Sequence, residues 1–295
     1  MTSPEILTLL ACQIDIPPTT SAAARDRHLA QSHAKLRTRL SAQHADLVVL
    51  PELSSIDYSR AAFDRLDEIA EPLDGASFRT WAALAAEFGV HVCYSFARRG
   101  ATGVHITVAV VSPEGTLVGF YDKLHLCQYG ASMEKDYFSA GNGVLVFTVK
   151  GFTCAPIICY DIRFPEFSRS LVLDHGVDLI LHCGAYFRDP SFPTWHAFAT
   201  TRAIENQVFF LSLNRAGQDY GNSLFCYPWM DQTRGPQAFA AHEEDLRRIT
   251  IDKQQMRDAR STYTFLKDRR QSYDLPCQSI IPPRKTQDHP GETAP

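Results

Sequence analysis

No stretch of this chain approaches the roughly 18 consecutive apolar residues that a membrane-spanning helix requires, and no internal segment is rich enough in Gly, Pro or Ser to read as a linker. A spanning helix is thereby excluded, and the 295 residues are expected to form one domain. Excess positive charge is missing too. The formal net charge is -4 with the basic residues dispersed, which excludes the footprint of a nucleic-acid groove or an anionic membrane and leaves a small molecule as the expected partner. Eight cysteines (Cys12, Cys93, Cys127, Cys154, Cys159, Cys183, Cys226, Cys277) stand singly, without the dense spacing of a disulfide scaffold, so reduced thiols are expected. "LLAC" at 9–12 looks superficially like a lipoprotein cleavage site, but no basic leader precedes it and its apolar stretch is very short. It is expected to lie in the first strand of a cytoplasmic protein.

What the chain has is apolar substance, 45% of its residues, arranged in strand-length runs that alternate with helical stretches. The pattern predicts a strand over 5–14 (EILTLLACQI), an Ala-rich helix over 21–43 and a second strand over 46–50 (DLVVL), ending at Pro51 and Glu52. A helix over 76–88 and a strand in "VHVCYSF" follow. "HITVAVVSPEGTLVGFYDK" then reads as a hairpin turning at Pro113, Glu114 and Gly115. The second half repeats the rhythm: a strand in "FTCAPIIC", a helix over 165–175 from Pro165 to just before Gly176, a strand in "VDLILHC", a helix over 194–206 and a strand in "QVFFLSLN". Strand, helix, strand twice over, around a central hairpin, predicts an α/β fold in which two sheets are each covered by helices, four layers in all. The domain is expected to span 1–283, and the polar 284–295 to be a poorly ordered tail.

Three polar side chains share one kind of place. Glu52 follows "LVVLP", Lys123 follows "LVGFYD" and Cys159 follows "APII", each at or just past a strand end, where sites in layered α/β proteins assemble. Singly, each has a plain explanation: a buried cysteine is usually a small hydrophobe, a glutamate a solvated or paired carboxylate, a lysine a surface cation. Together they supply a nucleophile, a proton carrier and a stabiliser of negative charge, which suffices for acyl transfer. The turn between Cys159 and the helix at Pro165 leaves the backbone N–H groups of Tyr160 and Asp161 available to an oxyanion. The same turn is expected to depress the thiol pKa.

"LPEL", "YDKLHL" and "ICYDIRFPE", in that order, resemble the three signature segments of the nitrilase superfamily, the carbon-nitrogen hydrolases with a Glu-Lys-Cys triad. "MEKDYFSAGN" and "TWHAFATTRAIENQVFFLSLNRAG" resemble further family segments, and the similarity runs from about residue 5 to near 275. The resemblance implies an αββα sandwich, no metal or organic cofactor, and a homodimer or higher homo-oligomer. It implies roles as well: Glu52 takes the proton of Cys159, Lys123 and the Tyr160 N–H stabilise the oxyanion, and Glu134 helps to position the water that hydrolyses the thioester.

Where many N-carbamoyl-amino-acid hydrolases carry two adjacent arginines after the nucleophile, this chain has Ile162 and Arg163. "CYDIRFPE" looks closer to the small-amide branch that includes ω-amidases and deaminated-glutathione amidases, so a small aliphatic amide is the expected substrate. Carbamoyl amino acids and nitriles stand as alternatives, and a non-catalytic metabolite-binding relative as one of another class. Tyr58, Arg163, Tyr186 and His196 are candidate substrate-binding residues. Arg163 has a second explanation as an ion-pair partner of Asp161, Glu166 or Glu205, and Trp195 and His196 have one as helix packing. A zinc site is not expected, because Cys154 and Cys159 are spaced so that their side chains leave opposite faces of a strand.

Overall fold

A computed structural model describes residues 5–277. The first half contains β1 (Ile6–Gln13), α1 (Ala22–Ala42), β2 (Leu47–Val49), two short helices α2 (Arg60–Phe63) and α3 (Leu66–Ile69), α4 (Ala76–Phe88), β3 (His91–Gly100), β4 (Gly103–Val111) and β5 (Leu117–Asp122). The second half contains β6 (Phe147–Val149), β7 (Phe152–Ile158), α5 (Pro165–His175), β8 (Leu179–Cys183), α6 (Phe192–Asn206), β9 (Phe209–Leu213), β10 (Leu224–Cys226), β11 (Gln237–Ala238), β12 (Asp245–Asp252), α7 (Lys253–Thr262) and α8 (Phe265–Asp268).

Two six-stranded sheets result, ordered β12-β1-β2-β3-β4-β5 and β11-β10-β9-β8-β7-β6. In each, a parallel trio (β1-β2-β3 and β7-β8-β9) is flanked by antiparallel strands. Strand β1 explains why its sequence reads as an unbroken apolar run. Leu7, Leu9 and Ala11 join the core that includes the facing sheet, while Leu10 and Cys12 pack with Leu29 and Leu36 of α1 and with Trp81 and Leu84 of α4. Both faces are covered, so no polar alternation survives. On the far side α5 and α6 cover the second sheet through Leu171, Trp195 and Ala199. The four layers expected from the sequence are those observed.

The observed helix 165–175 coincides with the expected one: Pro165 occupies the first turn, where its missing N–H is no loss, and Gly176 at φ 66 caps the end, its N–H bonded to the Leu171 carbonyl. Elsewhere the boundaries moved. Helix α6 begins at Phe192, two residues before the expected start, and β7 stops at Ile158, one residue short of Cys159. The strands β6 and β10 to β12 and the helix α7 were not anticipated. The expected tail, 284–295, lies outside the described residues.

Candidate active site

Strand ends from both sheets converge on one site. Glu52 follows β2 and Lys123 follows β5 in the first sheet, and Cys159 follows β7 in the second. Lys123 Nζ donates to Glu52 Oε1 at 2.8 Å and to Glu134 Oε1 at 2.7 Å, and all three side chains are fully buried. Glu134 is further held by the Cys127 N–H on Oε2 (2.8 Å) and the Tyr58 hydroxyl on Oε1 (2.8 Å). Glu52 Oε2 is different. Among the described residues it has no hydrogen-bond partner despite complete burial, an exception to the general satisfaction of buried acceptors.

The backbone at Cys159 is strained. Cys159 has φ 43, in the left-handed region that costs an L-residue about 1–2 kcal/mol. It opens a single 3₁₀ turn, Cys159–Arg163, that turns the chain from β7 toward α5. Asp161 clamps this turn. Its Oδ2 accepts the Ile158 N–H (2.8 Å) and the Tyr121 hydroxyl (2.6 Å), and its Oδ1 accepts the His125 N–H (3.1 Å) and faces His125 Nδ1 (2.7 Å). The elbow that carries Cys159 is therefore tied to the strand end that carries Lys123. Arg215, also buried, holds the opposite side by donating to the carbonyls of Glu52 (3.3 Å) and Leu53 (2.8 Å).

Burial dominates the titration of the site. It pushes the Glu52 carboxyl up to about 7, with Glu134 adding to the rise and Lys123 opposing it. Burial also opposes the charge of Lys123, yet Glu134 and Glu52 together outweigh it and hold the ammonium charged well beyond the usual lysine range. The Cys159 residue is open enough to line a cavity, but its sulfur is packed in protein. That packing first, and the charge of Glu52 second, push the thiol well above its ordinary value, against the pull of Lys123 and of the Ala185 backbone N–H. The expected depression of the thiol pKa is thus corrected. The resting sulfur is a neutral thiol that needs a base beside it.

The cavity over Cys159 is lined by Tyr58, Cys127, Tyr129, Tyr160, Arg163, Ala185, Tyr186 and Asp189, among others, and leaves about 40 Å³ for the centre of a water-sized sphere. Roughly 10–15 Å³ of such space holds one water, so the room is that of a few solvent molecules or a short acyl chain. Tyr58, Tyr160, Arg163 and Tyr186 all line the cavity. His196 does not: it lies on α6 away from the cavity, its Nε2 2.7 Å from the Asn222 carbonyl and its ring edge-on to Trp195, so it packs the helix. Arg163 pairs with none of Asp161, Glu166 and Glu205. Asp161 is taken by the elbow, Glu205 by Arg202 at 2.8 Å, and the Arg163 guanidinium lies over the rings of Tyr129 (5.6 Å) and Phe198 (5.0 Å). The sequence missed Asp161, His125, Arg215 and His182 as supports of the site. The last of these sits in the apolar run of β8 with Nε2 2.9 Å from the Cys159 carbonyl. Apart from the Asp161 contact with the Ile158 N–H, each acts through a partner distant in the chain, which no local pattern marks.

The carbon-nitrogen hydrolase family matches residues 9–261. A 2-oxoglutaramate amidase of Bacillus subtilis (strain 168) is 34% identical over 233 residues, covering 77% of this chain and 85% of the relative. An (R)-stereoselective amidase of a Pseudomonas species is 31% identical over 232 residues, covering 76% and 80%. Among solved structures, XC1258 from Xanthomonas campestris, a CN-hydrolase superfamily protein with an arsenic adduct in its active site, superposes with a TM-score of 0.76 at 26% identity, covering 92% of this chain and 99% of that one. An αββα sandwich with the ends of β2, β5 and β7 gathered around one thiol, matched by a family model over most of its length, identifies the chain as a member of the carbon-nitrogen hydrolase family.

Proposed function

We propose that the protein hydrolyses a small aliphatic amide bearing a carboxylate, through a thioester on Cys159. The observation that carries this reading is the unpartnered, buried Oε2 of Glu52, whose carboxylate is the strongest charge acting on the Cys159 sulfur. Glu52 takes the thiol proton as the sulfur attacks the amide carbon, and Lys123 with the Tyr160 N–H stabilises the oxyanion. The C–N bond breaks, the proton passes from Glu52 to the leaving nitrogen, and ammonia departs. Water, positioned with the help of Glu134 and deprotonated by Glu52, then attacks the thioester and releases the acid and the thiol.

The narrow cavity supports a short acyl chain, and Arg163, with a buried Nε that has no partner among the described residues, supports a carboxylate on it. The compound in the name of the B. subtilis relative is such an amide. The reading carries two further expectations: a homodimer or higher homo-oligomer, from the family resemblance, and a cytoplasmic location, from eight unpaired cysteines. Light scattering and cell fractionation check them.

The testing experiment is ammonia release from a panel of ω-amides, neutral amides, carbamoyl amino acids and nitriles, with wild type and Cys159→Ala. Turnover of carboxylated amides by wild type and its loss in the variant are expected. Full turnover in Cys159→Ala overturns the nucleophile, and preference for carbamoyl compounds or nitriles overturns the substrate class. Binding without turnover of anything on the panel points to the non-catalytic relative.

A further inference from the structure

One buried hydrogen-bond chain ends on the nucleophile's own carbonyl. His182 in β8 is fully buried, with Nε2 2.9 Å from the Cys159 carbonyl oxygen and Nδ1 2.6 Å from Ser212 Oγ in β9. The Tyr186 hydroxyl donates to the same carbonyl at 2.9 Å, and Trp195 Nε1 donates to Ser212 Oγ at 2.7 Å. The partners fix where the protons sit. A carbonyl only accepts, so His182 Nε2 carries a hydrogen; in a neutral ring Nδ1 is then bare, so Ser212, which accepts from the Trp195 indole, turns its own hydrogen to Nδ1. The ring is neutral in a single tautomer, and burial, which pushes its pKa down to about 4, keeps it so.

The carbonyl that receives both donors belongs to the peptide unit joining Cys159 to Tyr160. The N–H of that same unit is the backbone donor assigned above to the oxyanion. Amide resonance couples the two ends, since electron density drawn to oxygen leaves the nitrogen's hydrogen more positive, a polarisation that passes along hydrogen-bond chains. Two donors on one oxygen also fix the plane of a peptide that follows a residue at φ 43.

We propose that His182 and Tyr186, set by Ser212 and Trp195, are positioning residues that orient and polarise the Cys159–Tyr160 peptide so that its N–H stabilises the tetrahedral oxyanion. The proposal rests on Cys159 being the nucleophile. An aliphatic side chain at this place in "LILHC" would fill the space but offer the carbonyl no donor.

The test uses the full chain and two reactions of the same sulfur. Amide hydrolysis passes through an oxyanion. Transfer of a methylthio group from methyl methanethiosulfonate does not: the thiolate attacks sulfur, a disulfide forms and methanesulfinate leaves. Adduct formation is followed by mass on the peptide containing Cys159. In His182→Leu, kcat is expected to fall roughly tenfold, less than the 10²–10³ lost with an oxyanion donor itself, while KM and the methylthiolation rate stay within about twofold. His182→Gln, whose amide nitrogen restores a donor near the Nε2 position, is expected to recover most of the loss. If His182→Leu fails to fold, Tyr186→Phe, which removes only a hydroxyl, is expected to show the same split. A parallel fall in methylthiolation places the effect on the sulfur and overturns the proposal, as does an unchanged kcat. Full turnover in Cys159→Ala is a separate outcome that removes the nucleophile assignment and the proposal with it.

Discussion

Lys123 Nζ lies 2.8 Å from Glu52 Oε1, and neither side chain has any exposed surface. Removing the cation leaves Glu52 and Glu134 facing each other in the core without compensation. Breaking such a buried set typically costs about 3–5 kcal/mol. Lys123→Met is therefore expected to lose activity and also to unfold at markedly lower denaturant, as read by urea titration. Unchanged stability would contradict the arrangement.

The pH dependence follows from Glu52. As the proposed base, Glu52 acts only when ionised, and with its carboxyl pushed up to about 7, kcat/KM is expected to rise with pH through the neighbourhood of 7. That limb belongs to the coupled Glu52, Lys123 and Glu134 cluster. Stability moves the other way. The folded protein holds the Glu52 proton above its ordinary value of 4.5, so the unfolded chain binds fewer protons between about 4.5 and 7, and the Glu52 contribution falls as pH rises through that window. Glu52→Gln is expected to abolish turnover and flatten this part of the stability profile. A steeper profile in the variant would reverse the assignment.

Arg163 is expected to separate substrates by charge. Replacing it with Met keeps an apolar stem between Tyr129 and Phe198 but removes the cation. A charge-assisted hydrogen bond contributes about 1.5–3 kcal/mol, or roughly 10–150-fold. The variant is expected to lose that factor in kcat/KM for amides carrying a carboxylate and little for neutral amides of the same length. Equal losses on both would mean that the guanidinium only packs the loops.

The features legible in the sequence were those with a local cause. Pro165 and Gly176 bracket α5, and the apolar runs before Glu52, Lys123 and Cys159 end where their strands end. What escaped depends on distant partners. β12 was passed over because "DLRRITID" is largely polar, and it becomes a strand by pairing with β1 about 240 residues away, Leu7 opposite Ile251 and Leu9 opposite Ile249. The role of His182 was hidden for the same reason: a histidine in an apolar run gives no sign of which carbonyl it meets. His196 shows the reverse, a polar residue near the pocket in sequence that faces away from it once α6 forms.

Gly130, at φ 62, touches the loop across the cavity. A methyl group built there would clash with Asp189 Oδ2. Gly130→Ala would combine backbone strain of about 1 kcal/mol with displacement of the Asp189 side chain, which lines the cavity and holds the Ser191 N–H on its Oδ1. Misplacement of pocket groups by about 1 Å can cost up to 10²-fold, so a fall of at least roughly tenfold in kcat/KM is expected with a small change in Tm. Wild-type kinetics in the variant would show that these loops do not shape the pocket.

The most direct measurement is mass spectrometry of the enzyme quenched during turnover of an amide substrate. The expected result is an acyl group attached through a thioester to the peptide containing Cys159, absent from Cys159→Ala and accumulating when deacylation is slowed in Glu134→Gln. An acyl group on Cys127, Cys277 or any other residue, or steady turnover by Cys159→Ala, would contradict it.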